Sequence, residues 1–553
     1  MSRPPLDLTG RPCSSDEFHI ARQIVARSGV VAALAPYMDS EVGRHRRLSL
    51  EGLLVALQIN ALQRDHQAHL IEAARILNGL DENYRCRIGV NEWDEDEAYA
   101  RVTWLFSKLC KLLDDAPEDM DAQWFANRLT RAAIPARYLS SRSLAVDGTD
   151  IETWGAFQGS VNAVELDGEA VETQLIEQSA PAQKTVRKAK VLGIGPDGRK
   201  IYTPDPDARA GHRSANGDHN AGPYIGYELH LAVQARDVRW TNYIDKTILE
   251  PEVPNVITTA VLVPAGAHRA KSVVGALIAD KASGHPIDDV VWDPGYSLCR
   301  PETTTYPLLR AGIEQTFQLV TAQRGIRPFS KEAILLDGQL YSRLVPAELR
   351  DLVLAPRLSS GNWRLAYEDD FNRRARWRMV RHAAPDKDGV TRWRCPFCAG
   401  LLKSRNFPKT MRRPARVPMV VLDPDQHTCC GGTVSAPPAD LPLTQRIPFG
   451  STAWRISMNR RMAVESVNAA LKGSFVNLQR GFLRVFGLLK NTVLLGFTLA
   501  GVNLDRVRSY RAKLAEAEAK ASICHRRKRR VGIWSQLLAE LAAPIAEDTG
   551  PPG

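Results

Sequence analysis

Long apolar runs, a secretory leader and abundant cysteine are all missing from this sequence. The most apolar stretch toward the C-terminus, Val493 to Val502, is only ten residues long, about half of what spans a bilayer. It reads as a buried helix, and no membrane partner is expected. Met1 to Gly10 has no apolar segment flanked by positive charge, so no signal peptide is expected and the chain is placed in the cytoplasm. Nine cysteines in 553 residues are too few for a disulfide scaffold. With 38 Gly and 34 Pro, collagen-like and low-complexity readings fall away as well. What is present is positive charge. Lys and Arg number 73 against 62 Asp and Glu, a net of +11, which favours a polyanionic partner. The length suits about three domains, each with its own core.

From Asp16 to Ala136 apolar residues recur at three- and four-residue spacing, as in Leu50, Leu53, Leu54 and Leu57, which predicts helices. Ser49 is an expected N-cap after the basic Arg44-His45-Arg46-Arg47, and a second helix is expected over Ala68 to Leu77. A helix-turn-helix that reads DNA and a helical bundle with a solvated charged face share this pattern. In the first reading Arg46 and Arg47 contact DNA. After Pro135 the period changes. Strands are expected over Ser143 to Val146, Tyr224 to Val233, Thr258 to Val263, Asp289 to Trp292 and Ile313 to Val320, with helices over Ala265 to Ser283 and Glu302 to Ala311. The Gly- and Pro-rich stretch from Gly155 to Pro223 reads as a surface insertion. The expected organisation is a helical, DNA-binding domain over 1–138 and the first part of an α/β core over 139–321. An inserted subdomain follows over 322–446, then the rest of the core over 447–505 and a basic tail over 506–553.

Two aspartates follow apolar strands, Asp147 after Leu144-Ala145-Val146 and Asp293 after Val290-Val291-Trp292. At a strand end a carboxylate lies at the rim of a sheet and can hold a cation against a substrate, although each Asp alone also suits a turn or a cap. A helix is expected to start at Trp454 and to run on to Lys472. At about 100° per residue it sets Arg461, Glu465, Asn468 and Lys472 on one face, with Met462, Val464, Val467 and Leu471 packing elsewhere. The same spacing also describes a solvated face carrying an Arg–Glu pair.

Taken together, Val146-Asp147-Gly148-Thr149, Asp293-Pro294-Gly295-Tyr296 and Arg461-(3)-Glu465-(6)-Lys472, on strands and a helix in this order, resemble the ribonuclease-H-like core of DDE transposases. The helix is similar to the Tyr-(2)-Arg-(3)-Glu-(6)-Lys signature of a large group of bacterial insertion-sequence transposases, with Met458 where that signature has Tyr. Asp205-Pro206-Asp207-Ala208 and Gly226-Tyr227-Glu228-Leu229-His230 look like further landmarks, so the resemblance covers most of 140–505. It implies a ribonuclease-H-like fold with an inserted subdomain and an acidic trio, Asp147, Asp293 and Glu465, holding two Mg²⁺ or Mn²⁺ ions. In that scheme Asp147 bridges the ions, and Arg461 and Lys472 clamp phosphate. The implied substrate is double-stranded DNA, the terminal inverted repeats of a mobile element and its target, cut and joined by a dimer in the bacterial nucleoid. A DDE nuclease or recombinase without strand transfer, and a transposase-derived DNA-binding protein that has lost catalysis, share the same motifs.

Four cysteines crowd one segment. Cys395-Pro396-Phe397-Cys398 is a CxxC knuckle, and His427-Thr428-Cys429-Cys430 supplies a second pair of ligands about thirty residues on. Cys395, Cys398, His427 and Cys430 would make a closed zinc site, with Cys429 as the alternative to His427; reduced core cysteines are the other reading. The run Arg526 to Arg530 suits a DNA contact or a solvated tail. His212, His219 and His230 take surface or packing roles.

Overall fold

The structure, a computed structural model, describes residues 6–38, 46–63, 67–159, 164, 188–213, 222–239, 248–267, 269–354, 369–407, 416–426, 429, 432–438, 440, 445–474 and 476–521. The fold is mixed α/β. Seven helices come first: α1 (Ser15–Ser28), α2 (Val30–Met38), α3 (Leu50–Leu62), α4 (Leu70–Gly79), α5 (Glu82–Arg87), α6 (Ala98–Asp115) and α7 (Ala122–Ala132). Ser14 and Glu17 close a reciprocal capping box on α1, and the Ser49 hydroxyl caps α3 by accepting from the Gly52 N–H at 2.8 Å. Such caps satisfy backbone donors that the first turn leaves without a partner.

α3, the first helix of the expected pair, lies inside the core. Every residue of α3 except Glu51 is buried, because its apolar residues surround the axis instead of forming a stripe. A helix of that kind belongs inside a core and has no face to offer a DNA groove. Bundle packing describes α3, while α4 keeps Leu70, Ile71, Glu72 and Arg75 partly exposed.

The main sheet runs β8–β5–β1–β9–β10, built from β1 (Ser143–Glu152), β5 (Gly222–Ala235), β8 (Ile257–Pro264), β9 (Asp289–Trp292) and β10 (Glu314–Phe317). β1, β5 and β8 are antiparallel neighbours, whereas β9 and β10 run parallel to β1. A further strand, β4 (Arg209–Arg213), shares the outer edge of β5 with β8. Two short hairpins, β2 (Gly193–Ile194) with β3 (Lys200–Ile201) and β6 (Val238–Arg239) with β7 (Ile248–Leu249), lie outside this sheet. β1 is longer than expected. It continues through Asp147-Gly148-Thr149-Asp150 to Glu152, so Asp147 sits inside the strand, opposite Leu231 of β5. The Asp-Gly pair looks like a turn, yet the inward side chains of Thr149 and Ile151 hold the segment in the sheet. Only the parallel pairing with β9 stops at Val146, and that leaves the Asp147 carboxylate at an open edge. β4 was hidden in the presumed insertion because Arg209-Ala210-Gly211-His212-Arg213 has no apolar alternation.

Helices cover both faces of the sheet. Leu144, Val146, Val290 and Trp292 pack under α8 (Arg269–Ala282), α10 (Thr305–Arg310) and α11 (Thr452–Asn459); between β9 and α10 lies the single turn α9 (Pro294–Ser297). The opposite face, with Leu229, Leu231 and Val233, is covered by α12 (Met462–Ala469), the N-terminal helices and the long α13 (Leu488–Ala521). Elements on either side of the boundary expected at 138 thus share one core, and the boundary expected at 505 falls inside α13. Asn503 of α13 joins the layers: its amide nitrogen donates to the Thr130 and Ile257 carbonyls, both at 2.9 Å, and its oxygen accepts from the Ile257 N–H at 2.7 Å. Gly501 lets α13 approach α3 so closely that a Cβ there would lie 2.4 Å from the Ala61 carbonyl oxygen. We expect Gly501→Val to lose roughly 1 to 3 kcal/mol by overpacking, seen as a lower urea midpoint; an unchanged midpoint contradicts this packing.

Between β10 and α11 the chain builds a separate small lobe. One sheet joins β11 (Ile326–Pro328), β12 (Ala333–Leu336) and β13 (Gln339–Ser342). The other joins β14 (Val380–Arg381), β15 (Thr391–Arg394) and β16 (Val434–Ala436). The lobe has its own core around Leu336, Tyr341, Trp377 and Phe397. Among the described residues no helix is long and apolar enough to cross a membrane.

Candidate active site

The stretch expected as one helix from Trp454 to Lys472 is two helices. α11 ends at Asn459, Arg460 and Arg461 form the break, α12 follows, and a π-helical turn over Ala470–Ser474 carries Lys472. Arg460 explains where the break sits. Its guanidinium is buried and donates to Asp289 Oδ2 at 2.5 Å, to Ser457 Oγ at 2.5 Å and to the Arg236 carbonyl at 3.2 Å. Fastened in this way to the start of β9, the chain turns and sends the next side chain, Arg461, across the sheet edge. Sequence reasoning passed over Arg460; the doubled arginine was the signal available.

Arg461 meets all three expected acids. Its Nη2 lies 3.1 Å from Glu465 Oε1, 3.3 Å from Asp293 Oδ2 and 3.8 Å from Asp147 Oδ2. Each aspartate is oriented by a backbone amide at its other oxygen. Asp147 Oδ1 accepts from the Gly148 N–H at 2.9 Å, and Asp293 Oδ1 accepts from the Gly295 N–H at 2.7 Å, capping α9. The Oδ2 atoms are thereby turned toward one point. Asn468, one turn after Glu465, approaches Asp147 Oδ2 with its amide nitrogen at 3.4 Å.

The cluster is short of positive charge. Burial, reinforced by the neighbouring Asp293 charge and only partly offset by Arg461, pushes the Asp147 carboxyl up to about 7. Lys472 sits apart, with its Nζ 2.6 Å from Asp150 Oδ1. Burial works against the charge on Asp150, but the Lys472 ammonium overcomes it and holds that carboxyl below its ordinary value. Val464, Val467 and Leu471 are fully buried, as expected, while Met462, also expected to pack, is 68% exposed. His230, given a surface or packing role, is completely buried; its Nδ1 is 2.8 Å from the Tyr296 hydroxyl, joining β5 to the turn that carries Asp293.

The remaining sequence candidates lie elsewhere. Arg46 and Arg47 stand before α3, where Arg47 pairs with Glu92 at 3.3 Å. In the small lobe Cys395, Cys398 and Cys429 converge, their sulfurs all within 4.8 Å of one another, a group able to hold a metal such as zinc. His427 and Cys430, two of the four expected ligands, lie outside the described residues, as do His219 and Arg526 to Arg530.

Carboxylate oxygens are hard ligands, and here the three acids converge on the Arg461 guanidinium. No protein-family model, curated protein or solved structure matches this chain.

Proposed function

We propose that this chain is a DNA transposase of the cut-and-paste type, acting on terminal inverted repeats and target DNA through an acidic trio on a ribonuclease-H-like core. The observation that carries this reading is the meeting of Asp147, Asp293 and Glu465 around one Arg461 nitrogen, although they are far apart in the chain. The strand order supports it: three antiparallel strands with two parallel strands on the far side of the first is the arrangement of ribonuclease-H-like folds. In this reading Asp147, Asp293 and Glu465 would hold two divalent ions, which would supply a lowered pKa for an attacking hydroxyl and neutralisation of charge on the transferred phosphoryl group. The residues of the chain do the rest. Arg461, released from the acids, turns to a phosphate of the bound strand, Asn468 keeps Asp147 Oδ2 in place, and Arg460 fixes the helix that presents Glu465. The net charge of +11 serves backbone binding, with a strong salt dependence. Two ends must be brought together, which calls for a dimer in the DNA complex.

The test is a plasmid excision assay with the native repeats and Mg²⁺ or Mn²⁺. Excision and strand transfer that vanish in Asp293→Ala or Glu465→Ala, with DNA binding retained, support the transposase. Cleavage without joining indicates a DDE nuclease, and binding alone indicates a transposase-derived binder. Lys472→Ala is expected to weaken binding of the DNA ends and to lower the slope of log affinity against log salt by about one, leaving Mn²⁺ affinity close to wild type. Equal loss of Mn²⁺ affinity in Lys472→Ala and Glu465→Ala would overturn the clamp role.

A further inference from the structure

In the small lobe, β15 and β16 pair through Trp393↔Val434, but the chain between them makes a long excursion. It leaves β15 at Cys395 and returns past Cys429. Among its described residues this excursion contains little regular structure, a single bridge between Lys403 and Met419 being one of its few ties. A segment that poor in ladder hydrogen bonds and helices needs another constraint to stay closed.

The geometry points to a structural zinc ion bound by the thiolates of Cys395, Cys398 and Cys429, stapling the two ends of this excursion. Three observations carry it. The Cys398 and Cys429 sulfurs are 3.3 Å apart and all three lie within 4.8 Å of one another. Zn–S bonds of about 2.3 Å at tetrahedral angles put sulfurs roughly 3.8 Å apart, whereas a disulfide needs about 2.05 Å; none of the three is in a disulfide. The local backbone has the form of a metal knuckle. The Cys398 N–H points at Cys395 Sγ at 3.4 Å, the Ala399 N–H bonds to the Cys395 carbonyl at 2.9 Å, and Gly400 closes the turn with φ of +77°. Amides aimed at sulfur favour the thiolate over the thiol. Finally, one ligand is anchored in the core of the lobe: Cys395 is 1% exposed and packs in one cluster with Phe397, Trp377 and Phe407.

Three thiolates fill three of the four places of a closed site. Binding replaces the thiol protons, which pass to solvent, so affinity falls with pH. The ion is independent of the acidic trio, whose oxygen ligands select a different metal.

Zinc in the purified full-length chain, measured by elemental analysis, is expected at one equivalent. It should drop at least tenfold in Cys398→Ser and in Cys429→Ser, and stay at one in Cys86→Ser, an exposed cysteine outside the lobe. The wild-type chain supplies a readout that needs no variant. Exchange of its zinc for Co²⁺ should give the intense thiolate-to-cobalt charge-transfer absorption and the strong visible bands of a tetrahedral site. A chain that purifies without zinc and gives no such bands, zinc retained at one equivalent in Cys398→Ser, or a Cys398–Cys429 disulfide in a non-reducing peptide map would each overturn the assignment.

Discussion

In the proposed transposase, Asp147→Asn should lower DNA cleavage about a thousandfold and, without divalent ions, make the protein more stable. The two effects share one cause. Asp147 is held largely out of water beside Asp293 and Glu465, and its carboxyl is raised from 3.8 to about 7. In the unfolded chain it ionises near its ordinary value. Between pH 4 and 7 the folded state therefore holds more protons than the unfolded state, and stability falls as pH rises through that interval. Above pH 7 the full penalty applies, on the order of a few kcal/mol. An amide in place of the acid removes the penalty and flattens the pH dependence. We expect a Tm above wild type at pH 8 in EDTA, with the difference shrinking toward pH 4. For the wild type, Mg²⁺ or Mn²⁺ should recover the same stability by neutralising the trio, and the Asn variant should gain less from them. Cleavage pays the other side: losing several kcal/mol of charge stabilisation in the transition state lowers the rate by roughly three powers of ten. A variant that cleaves like wild type, or one with an unaltered pH profile of stability, sinks the proposed role of Asp147.

The parts legible in the sequence were those in which local pattern and tertiary environment agree. The strand at Asp289 to Trp292 is apolar and ends at Asp293, and the structure places it there. Arg461, Asn468 and Lys472 of the expected stripe do reach acids of β1, and Glu465 meets Arg461, although two helices and a π-helical turn carry them in place of the one helix expected. Where tertiary contacts decide, sequence reading failed. Asp147-Gly148 reads as a turn because its propensity is local, whereas β5 pairs with that segment over ten positions and keeps it extended. The break at Arg460 is equally invisible, since it comes from a buried ion pair with Asp289, 171 residues earlier. The N-terminal helices seemed separable because nothing in residues 1–138 announces that α13, at the other end of the chain, completes their core.

Asp205→Ala should be among the most destabilising single changes in this protein, although the sequence presents Asp205 as one more acid near a catalytic landmark. The side chain is fully buried and touches none of the trio. One oxygen accepts from the Thr153 hydroxyl at 2.7 Å; the other accepts from the Tyr227 hydroxyl at 2.7 Å and the Gly487 N–H at 2.9 Å. The Tyr227 phenol is pushed upward by its own burial and by the Asp205 charge beside it, which keeps it a donor. One carboxylate thus ties the end of β1, the middle of β5 and the residue before α13. Two residues on, Asp207 Oδ2 accepts from the Leu488 N–H at 2.7 Å and caps α13, where a negative charge also suits the helix dipole. Removing Asp205 leaves two buried hydroxyls and the half-buried Gly487 N–H without their acceptor, a loss of roughly 3 to 5 kcal/mol. Asp207→Ala removes one capping bond, worth about 1 kcal/mol. Urea denaturation should separate the two, with Asp205→Asn between them, and hydrogen exchange should show α13 losing protection first in Asp205→Ala. Mn²⁺ affinity of the folded variant should match wild type, because no oxygen of Asp205 reaches the trio. If Asp205→Ala costs no more than Asp207→Ala, or if it removes a metal ion, then this carboxylate is not the pin of α13 and belongs with the acids of the site.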